Sequence, residues 1–198
     1  MRKIKFVKYT AQGNDFILID SFQNELKFNY KNFAKKICDR NFGVGADGLL
    51  VLKKNKLFDF EMLYYNSDGS CGMCGNGARS ISDFYFRNYT KKNKATFFVF
   101  DKIYTSEKIG NQISVLFSFS EIPKIENHKI KIENKIFPIH YINLGFSPHT
   151  IIFWKDIKKY FKNISFENFN VNYFGKIVRD NKFFFFKWNQ CWFCRKKI

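Results

Sequence analysis

The stretch from Tyr65 to Arg79, YNSDGSCGMCGNGAR, limits the fold more than any other part of the chain. Asn-Ser-Asp-Gly is a turn, with Gly69 at the residue most tolerant of positive φ, so the preceding run FDFEMLYYN reads as a strand that ends there. From Cys74 to about Asn88 the apolar residues Ile81, Phe84 and Tyr85 recur at helical spacing, so a helix begins at the glycines. The chain must therefore build a strand, a tight turn and a Gly-Asn-Gly helix start with Cys71 and Cys74 on its approach.

Three chemistries compete for those thiols. In the first, Cys71-x-x-Cys74 and Cys191-x-x-Cys194 give the four thiolates of a structural zinc site, which would make the chain a zinc-stabilised basic binding protein. The gap between the pairs is far longer than the usual span of about 15 to 20 residues, and neither pair sits on a knuckle turn. In the second, Cys71 and Cys74 are a redox pair, but such pairs follow a strand of a βαβ unit and here a turn precedes. In the third, Cys74 works alone. A helix starting at Gly75, Asn76, Gly77 and Ala78 presents unpaired N–H groups that favour a thiolate and a substrate carboxylate beside it. The residues leave a plainer reading open, in which Gly-Asn-Gly is a tight turn and Cys74 a small buried side chain.

Five cysteines (Cys38, Cys71, Cys74, Cys191, Cys194) are an odd number in a chain whose N-terminus, MRKIKFVKYT, interrupts any apolar run with Lys. Reduced thiols in the cytoplasm are the expectation. No stretch approaches the roughly 18 apolar residues of a membrane helix, so no membrane partner is expected. The net charge of +17 would ordinarily suggest nucleic acid. The basic residues are scattered and mostly Lys, in a chain crowded with Phe, Ile, Asn and Tyr, as an A+T-rich coding sequence produces. A solvated surface is the reading, with no nucleic-acid partner.

The 198 residues suffice for one large domain or two small ones. KIKFVKYT and QISVLFSF alternate as half-buried strands, and GLLVLKK reads as a further strand. FNYKNFAKKICDRNFG places Phe33, Ile37 and Phe42 at helical spacing, with Gly43 as its C-terminal cap. The pattern is α+β and rich in antiparallel pairs. After Phe119, SEIPKIENHKIKIENKIFPIH reads as a polar connection, which divides the chain into 1–119 and 120–198. Beyond it, YINLGFSPHTIIFW is strand, turn, strand; KDIKKYFKNI is a short helix; NFNVNYFGKIV and NKFFFFKW are strands. Phe183 to Phe186 belong inside a sheet, since exposed at an edge they would aggregate.

Six blocks in order, GNDFILID, RNFGVGADGLL, YNSDGS, MCGNGAR, GFSPH and NVNY, give the chain a resemblance to the diaminopimelate epimerase family. Asn76, where the related proline racemases typically carry His, favours that family over them; a related isomerase with another substrate is the remaining neighbour. The resemblance implies two pseudo-symmetric halves, each a mostly antiparallel sheet wrapped around a central helix, with substrate between them. It implies a cofactor-independent isomerase, with no metal, that interconverts LL- and meso-diaminopimelate on the route to lysine and peptidoglycan. The partner is that small molecule, and a homodimer is allowed.

Carried over by position, Cys74 is one acid/base thiol, and Gly75 and Asn76 give backbone contacts to the substrate carboxylate. Asn14 and Asn66 hold its polar ends, while Ser147, His149 and Asn170 are further substrate contacts. Each has a plainer reading: Asn66 closing its own turn, His149 a satisfied loop residue, Asn170 the mark of a bulge. Cys71 is incidental. The family's Glu-Arg-Gly stretch and second Cys-Gly-Thr-Gly helix start do not follow KFFFFKW, where NQCWFCRKKI stands. The resemblance then implies an incomplete second half, one opposed thiol missing, apolar sheet left uncovered and doubtful inversion by this chain.

Overall fold

The computed structural model describes residues 3–26, 28–119, 121–145 and 148–181, together with the backbone of 190–194. The chain divides into two compact units, Met1–Ser118 and Phe119–Ile198, each taken by itself below.

The first unit is a seven-stranded sheet in sequence order: β1 (Val7–Ala11), β2 (Asn14–Ser21), β3 (Gly48–Lys53), β4 (Phe60–Asn66), β5 (Lys94–Val99), β6 (Lys102–Ile109) and β7 (Gln112–Leu116). Neighbours are antiparallel except β2–β3 and β4–β5. Those two parallel pairs are where the chain crosses over through a helix, α1 (Tyr30–Ile37) after β2 and α2 (Gly75–Asn88) after β4, as parallel neighbours require. The β1–β2 hairpin turns at Gln12 and Gly13, both at positive φ (52° and 87°), which suits the twist of a two-residue hairpin. It delivers Asn14 to the start of β2.

Successive strand residues face opposite sides, and both sides of this sheet are covered. Ile17, Ile19, Leu49 and Val51 pack with Ala34 and Cys38 at α1. On the other side α2 touches β1, β2, β3, β4, β6 and β7, so the sheet curls until both edge strands reach one helix. Phe60, fully buried, stacks on Phe97 and lies 4.8 Å from the Tyr85 ring of α2. α1 ends at Ile37, not at Gly43, because the Asp39 carboxylate accepts from Asn41 N and Phe42 N and bends the chain away. Phe42 is consequently 95% exposed, off the apolar face its spacing suggested.

In the second unit the supposed polar connection is a hairpin, β8 (Ile125–Ile132) with β9 (Lys135–Asn143). β10 (Pro148–Phe153) pairs antiparallel with β9, and β11 (Gln190–Cys194) pairs parallel with β10. Two further elements cover the sheet: α3 (Trp154–Ile157), continued by a 3₁₀ turn at Lys158–Tyr160, and α4 (Val171–Arg179). Ile130, Phe137, Ile139, Tyr141 and Ile152 pack with Trp154, Ile157, Phe169, Phe174 and Val178.

One expectation is corrected by that packing. NFNVNYFGKIV is a helix and not a strand, because Phe174 and Val178 are spaced one turn apart and Asn170 caps the start, its Oδ1 accepting from Tyr173 N at 3.0 Å. Together with α3 it covers one face of the sheet. The expected strand over NKFFFFKW lies outside the described residues.

Candidate active site

Strand β4 ends in a turn tied by its own side chains: Asp68 Oδ1 accepts from Ser70 N at 2.7 Å and from Ser70 Oγ at 2.6 Å. Gly69, at φ +79°, donates to the Asn66 carbonyl at 2.8 Å. The chain then runs extended through Cys74 (φ −126°, ψ 116°), the N-cap residue of α2. Its thiol fills the role usually given to Ser or Asp, because Sγ accepts from Gly77 N at 3.4 Å. The Asn76 N–H is directed at the same sulfur. Part of the amide cradle expected for a carboxylate therefore faces the thiol.

Cys74 is half-buried, and desolvation pushes its pKa up against the pull of the Gly77 and Asn76 amides, the Arg79 guanidinium and the Tyr64 hydroxyl. The helix start alone would lower a thiol pKa; burial outweighs it here. Cys71 differs in every respect: it is exposed and pairs its backbone with Tyr65 in an isolated bridge. Among the described residues no group of three or more His, Cys, Asp or Glu could hold a metal ion.

Side chains from β1, β2, α2 and the loop before β3 form a network that starts at Asn76, two residues from Cys74. Asn76 Nδ2 donates to Asn14 Oδ1 at 2.7 Å, and Asn14 Nδ2 donates to Asp47 Oδ2 at 3.0 Å. Arg79 donates to Asn76 Oδ1 at 2.6 Å, and Arg40 joins Asp47 at 2.9 Å and Asp15 at 2.7 Å. Lys8 completes the chain at Asp15, 2.8 Å away, and these partners hold the Asp15 carboxyl far below the usual range, Arg40 foremost. The two asparagine amides are thus fixed in orientation, since each has its oxygen and its nitrogen engaged.

Of the residues expected from sequence, Asn14, Cys74, Gly75 and Asn76 are gathered at the start of α2. Asn66 stands at the end of β4 and does close its own turn: its N–H donates to the Ser70 carbonyl at 2.8 Å and its Nδ2 to Ser70 Oγ at 3.0 Å. Its Oδ1 accepts from the Tyr64 hydroxyl at 2.7 Å. His149 and Asn170 belong to the second unit. His149 lies on β10, paired with Ile142 and Gln190, and burial lowers its pKa; Asn170 is the α4 cap. Ser147 lies outside the described residues, as do the Cys191 and Cys194 side chains. Sequence reasoning missed Tyr64, Asp47 and Arg79. A signal for Tyr64 was available, because the alternation Phe60, Met62, Tyr64 in β4 carries a hydroxyl inward one step before Asn66.

No helix among the described residues is long and apolar enough to cross a membrane. Known structures share the fold. A PhzF-family phenazine biosynthesis protein from Bacillus anthracis superposes with TM-score 0.57 at 17% identity, covering 80% of this chain and 59% of that one. A probable proline racemase from Agrobacterium radiobacter K84 superposes with TM-score 0.60 at 8% identity, covering 90% and 59%. The family profile described as "Diaminopimelate epimerase" matches residues 6–100. The chain is 38% identical over 161 residues to the diaminopimelate epimerase of Flavobacterium psychrophilum, covering 79% of this chain and 58% of that protein. It is 33% identical over 207 residues to that of Alkaliphilus metalliredigens, covering 90% and 72%, and 34% identical over 205 residues to that of Clostridium perfringens, covering 90% and 74%.

The fold is the one that these PhzF-family and proline racemase structures share. Within that fold, the chain belongs to the diaminopimelate epimerase family.

Proposed function

We propose that this chain acts on diaminopimelate at its α-carbon, with Cys74 as one of the two thiols that exchange the α-proton between the LL and meso forms. The observation that carries the reading is the N-cap position of Cys74, with the Asn76 and Gly77 amides on its sulfur and the Asn14–Asn76 amide pair beside it.

The chemistry is a proton transfer from carbon to sulfur. The Cys74 thiolate takes the α-hydrogen as a proton, the C–H electron pair stays on the carbon, and the thiol, exchanged with solvent, can return a proton to the same face; inversion requires a second thiol on the opposite face. Amino-acid C–H acidity lies far below that of a thiol, so the developing charge needs fixed donors in a site that excludes water. The amides of Gly75 and Asn76 would face the substrate carboxylate, with the α2 N-terminus behind them. Asn14 and Asn66 would hold the polar ends, and Ser147, His149 and Asn170 would contribute from the second unit. His149, kept neutral at physiological pH by burial, would act there as a hydrogen-bonding group and not as a cation. No cofactor is assigned a step, the substrate is soluble, and the place of action is the cytoplasm. Residues 1–119 and 120–198 would be the two halves of the catalytic body. A homodimer is compatible with this reading.

The test is incubation with LL-diaminopimelate in deuterated water, followed by chiral chromatography and mass spectrometry, with proline alongside. Deuterium entering diaminopimelate and not proline supports the reading; exchange into proline alone would favour another substrate. In that case the fold stands and the substrate assignment falls.

A further inference from the structure

The register of β7 carries an aromatic ring to the start of α2. In QISVLFSF, Ile113 and Val115 turn inward while Gln112, Ser114 and Leu116 face out. Phe117 is the next inward position, half-buried just past the strand. Its ring meets Tyr104 of β6 edge-on, with centroids 5.7 Å apart at 68°. Tyr104 stacks on Phe97 of β5 at 5.6 Å, and Phe97 on Phe60 of β4 at 4.9 Å. Phe60 lies against Tyr85, on the body of α2. This column of rings therefore leaves α2 at Tyr85, runs through the core and returns to the first residue of the same helix, Gly75. A Cβ built on Gly75 would stand 3.4 Å from Phe117 Cζ, with Phe117 Cε2 and Arg79 Nη1 both at 3.9 Å. The ring edge and the guanidinium thus bound the flank that glycine leaves bare.

We propose that Phe117 is a positioning residue of the Cys74 site: its ring closes the bare flank of Gly75 and keeps water from the start of α2. The inference rests on the reading of that helix start as the place where the proton is transferred. The Gly75 and Asn76 N–H groups belong to the first turn, so no helical carbonyl takes them. They act more strongly on developing charge where water is excluded. Phe117 lies beyond the last residue of β7, and the edge-on contact with the buried Tyr104 holds its ring in place. The desolvation of the Cys74 sulfur agrees with a shielded helix start.

The test is solvent exchange of the α2 backbone amides, followed by NMR on the isotopically labelled chain. Phe117→Ala should speed exchange at Gly75 and Asn76 by about tenfold, the size expected for losing an aromatic contact. Phe117→Leu, which keeps an apolar side chain there, should fall between that variant and the parent. Val115→Ala trims the neighbouring inward residue of β7 and controls for lost stability alone; it should leave exchange at Gly75 and Asn76 at the parent rate. No acceleration in Phe117→Ala, or the same acceleration in Val115→Ala, overturns the proposal. With LL-diaminopimelate in deuterated water, Phe117→Ala should lower the kcat of α-hydrogen exchange more than it raises KM, and a kcat equal to the parent's would also overturn it. Amide exchange needs no substrate, so failure there is distinct from failure of the epimerase reading, which shows as no deuterium entering diaminopimelate with the parent chain.

Discussion

On the Cys74 sulfur, desolvation and hydrogen bonding act in opposite directions. Desolvation disfavours the thiolate, while the Gly77 and Asn76 N–H groups and Arg79 favour it, and the balance leaves the pKa above the ordinary thiol value. The base is the thiolate, so the pH dependence has a definite sign: exchange should be fast above the raised pKa and decline as pH falls through it. A pH–rate profile should place that limb above the ordinary thiol pKa of about 8.5, and a limb on the acid side would contradict the balance described. A raised pKa also makes a stronger base toward a weak carbon acid. Gly77 tests the geometry under the sulfur. A Cβ there would lie 3.0 Å from Leu50 Cδ2 and 3.4 Å from both Cys74 Cβ and Met62 Cε. Gly77→Ala should therefore lift the helix start off β3, costing about 1–3 kcal/mol in denaturant unfolding and slowing exchange. Asp47→Ala should leave the Asn14 amide without its acceptor and reduce kcat/KM on the order of tenfold, since misplacing a polar group by a fraction of an ångström suffices for that.

Elements were legible in the sequence where backbone chemistry was local. The turn at Asn66–Ser70 and the start of α2 were readable because Asp, Gly and a Gly-Asn-Gly run admit few conformations. The β8–β9 hairpin was hidden by composition: in IENHKIKI the face that carries the buried Ile130 and Ile132 begins with Glu126 and His128, which blurs the alternation, and Pro138 in β9 suggested a connection. α4 was misread because Phe169, Val171 and Tyr173 alternate, a period-2 signal that tertiary packing of Phe174 and Val178 overrides. Nothing in the spacing of Asn14 and Asn76 foretold their hydrogen bond, which spans 62 residues and exists only once the sheet curls around α2. The cap gives an element-level prediction. Asn170→Ala should cost about 1 kcal/mol of stability, and Asn170→Ser, also a good cap, should restore it. If Asn170 also touches substrate, Asn170→Ser will keep stability and still raise KM, so the two roles separate by unfolding and kinetics together.

For the whole molecule, function depends on a sheet that closes around one helix. Phe60, Phe97 and Tyr85 form the aromatic contact beneath it, and Phe60→Ala should cost about 3–5 kcal/mol by urea unfolding, whereas a cost under 1 kcal/mol would mean the sheet does not lean on that contact. The relatives carry the family assignment, and the first unit carries the thiol whose role is the central claim. That claim is tested most directly by deuterium incorporation at the α-carbon of diaminopimelate in two single variants. Cys74→Ser should abolish it and Cys71→Ser should leave it close to the parent rate, because only Cys74 caps α2 with amides on its sulfur. Equal loss in both variants, or undiminished exchange in Cys74→Ser, would contradict the account.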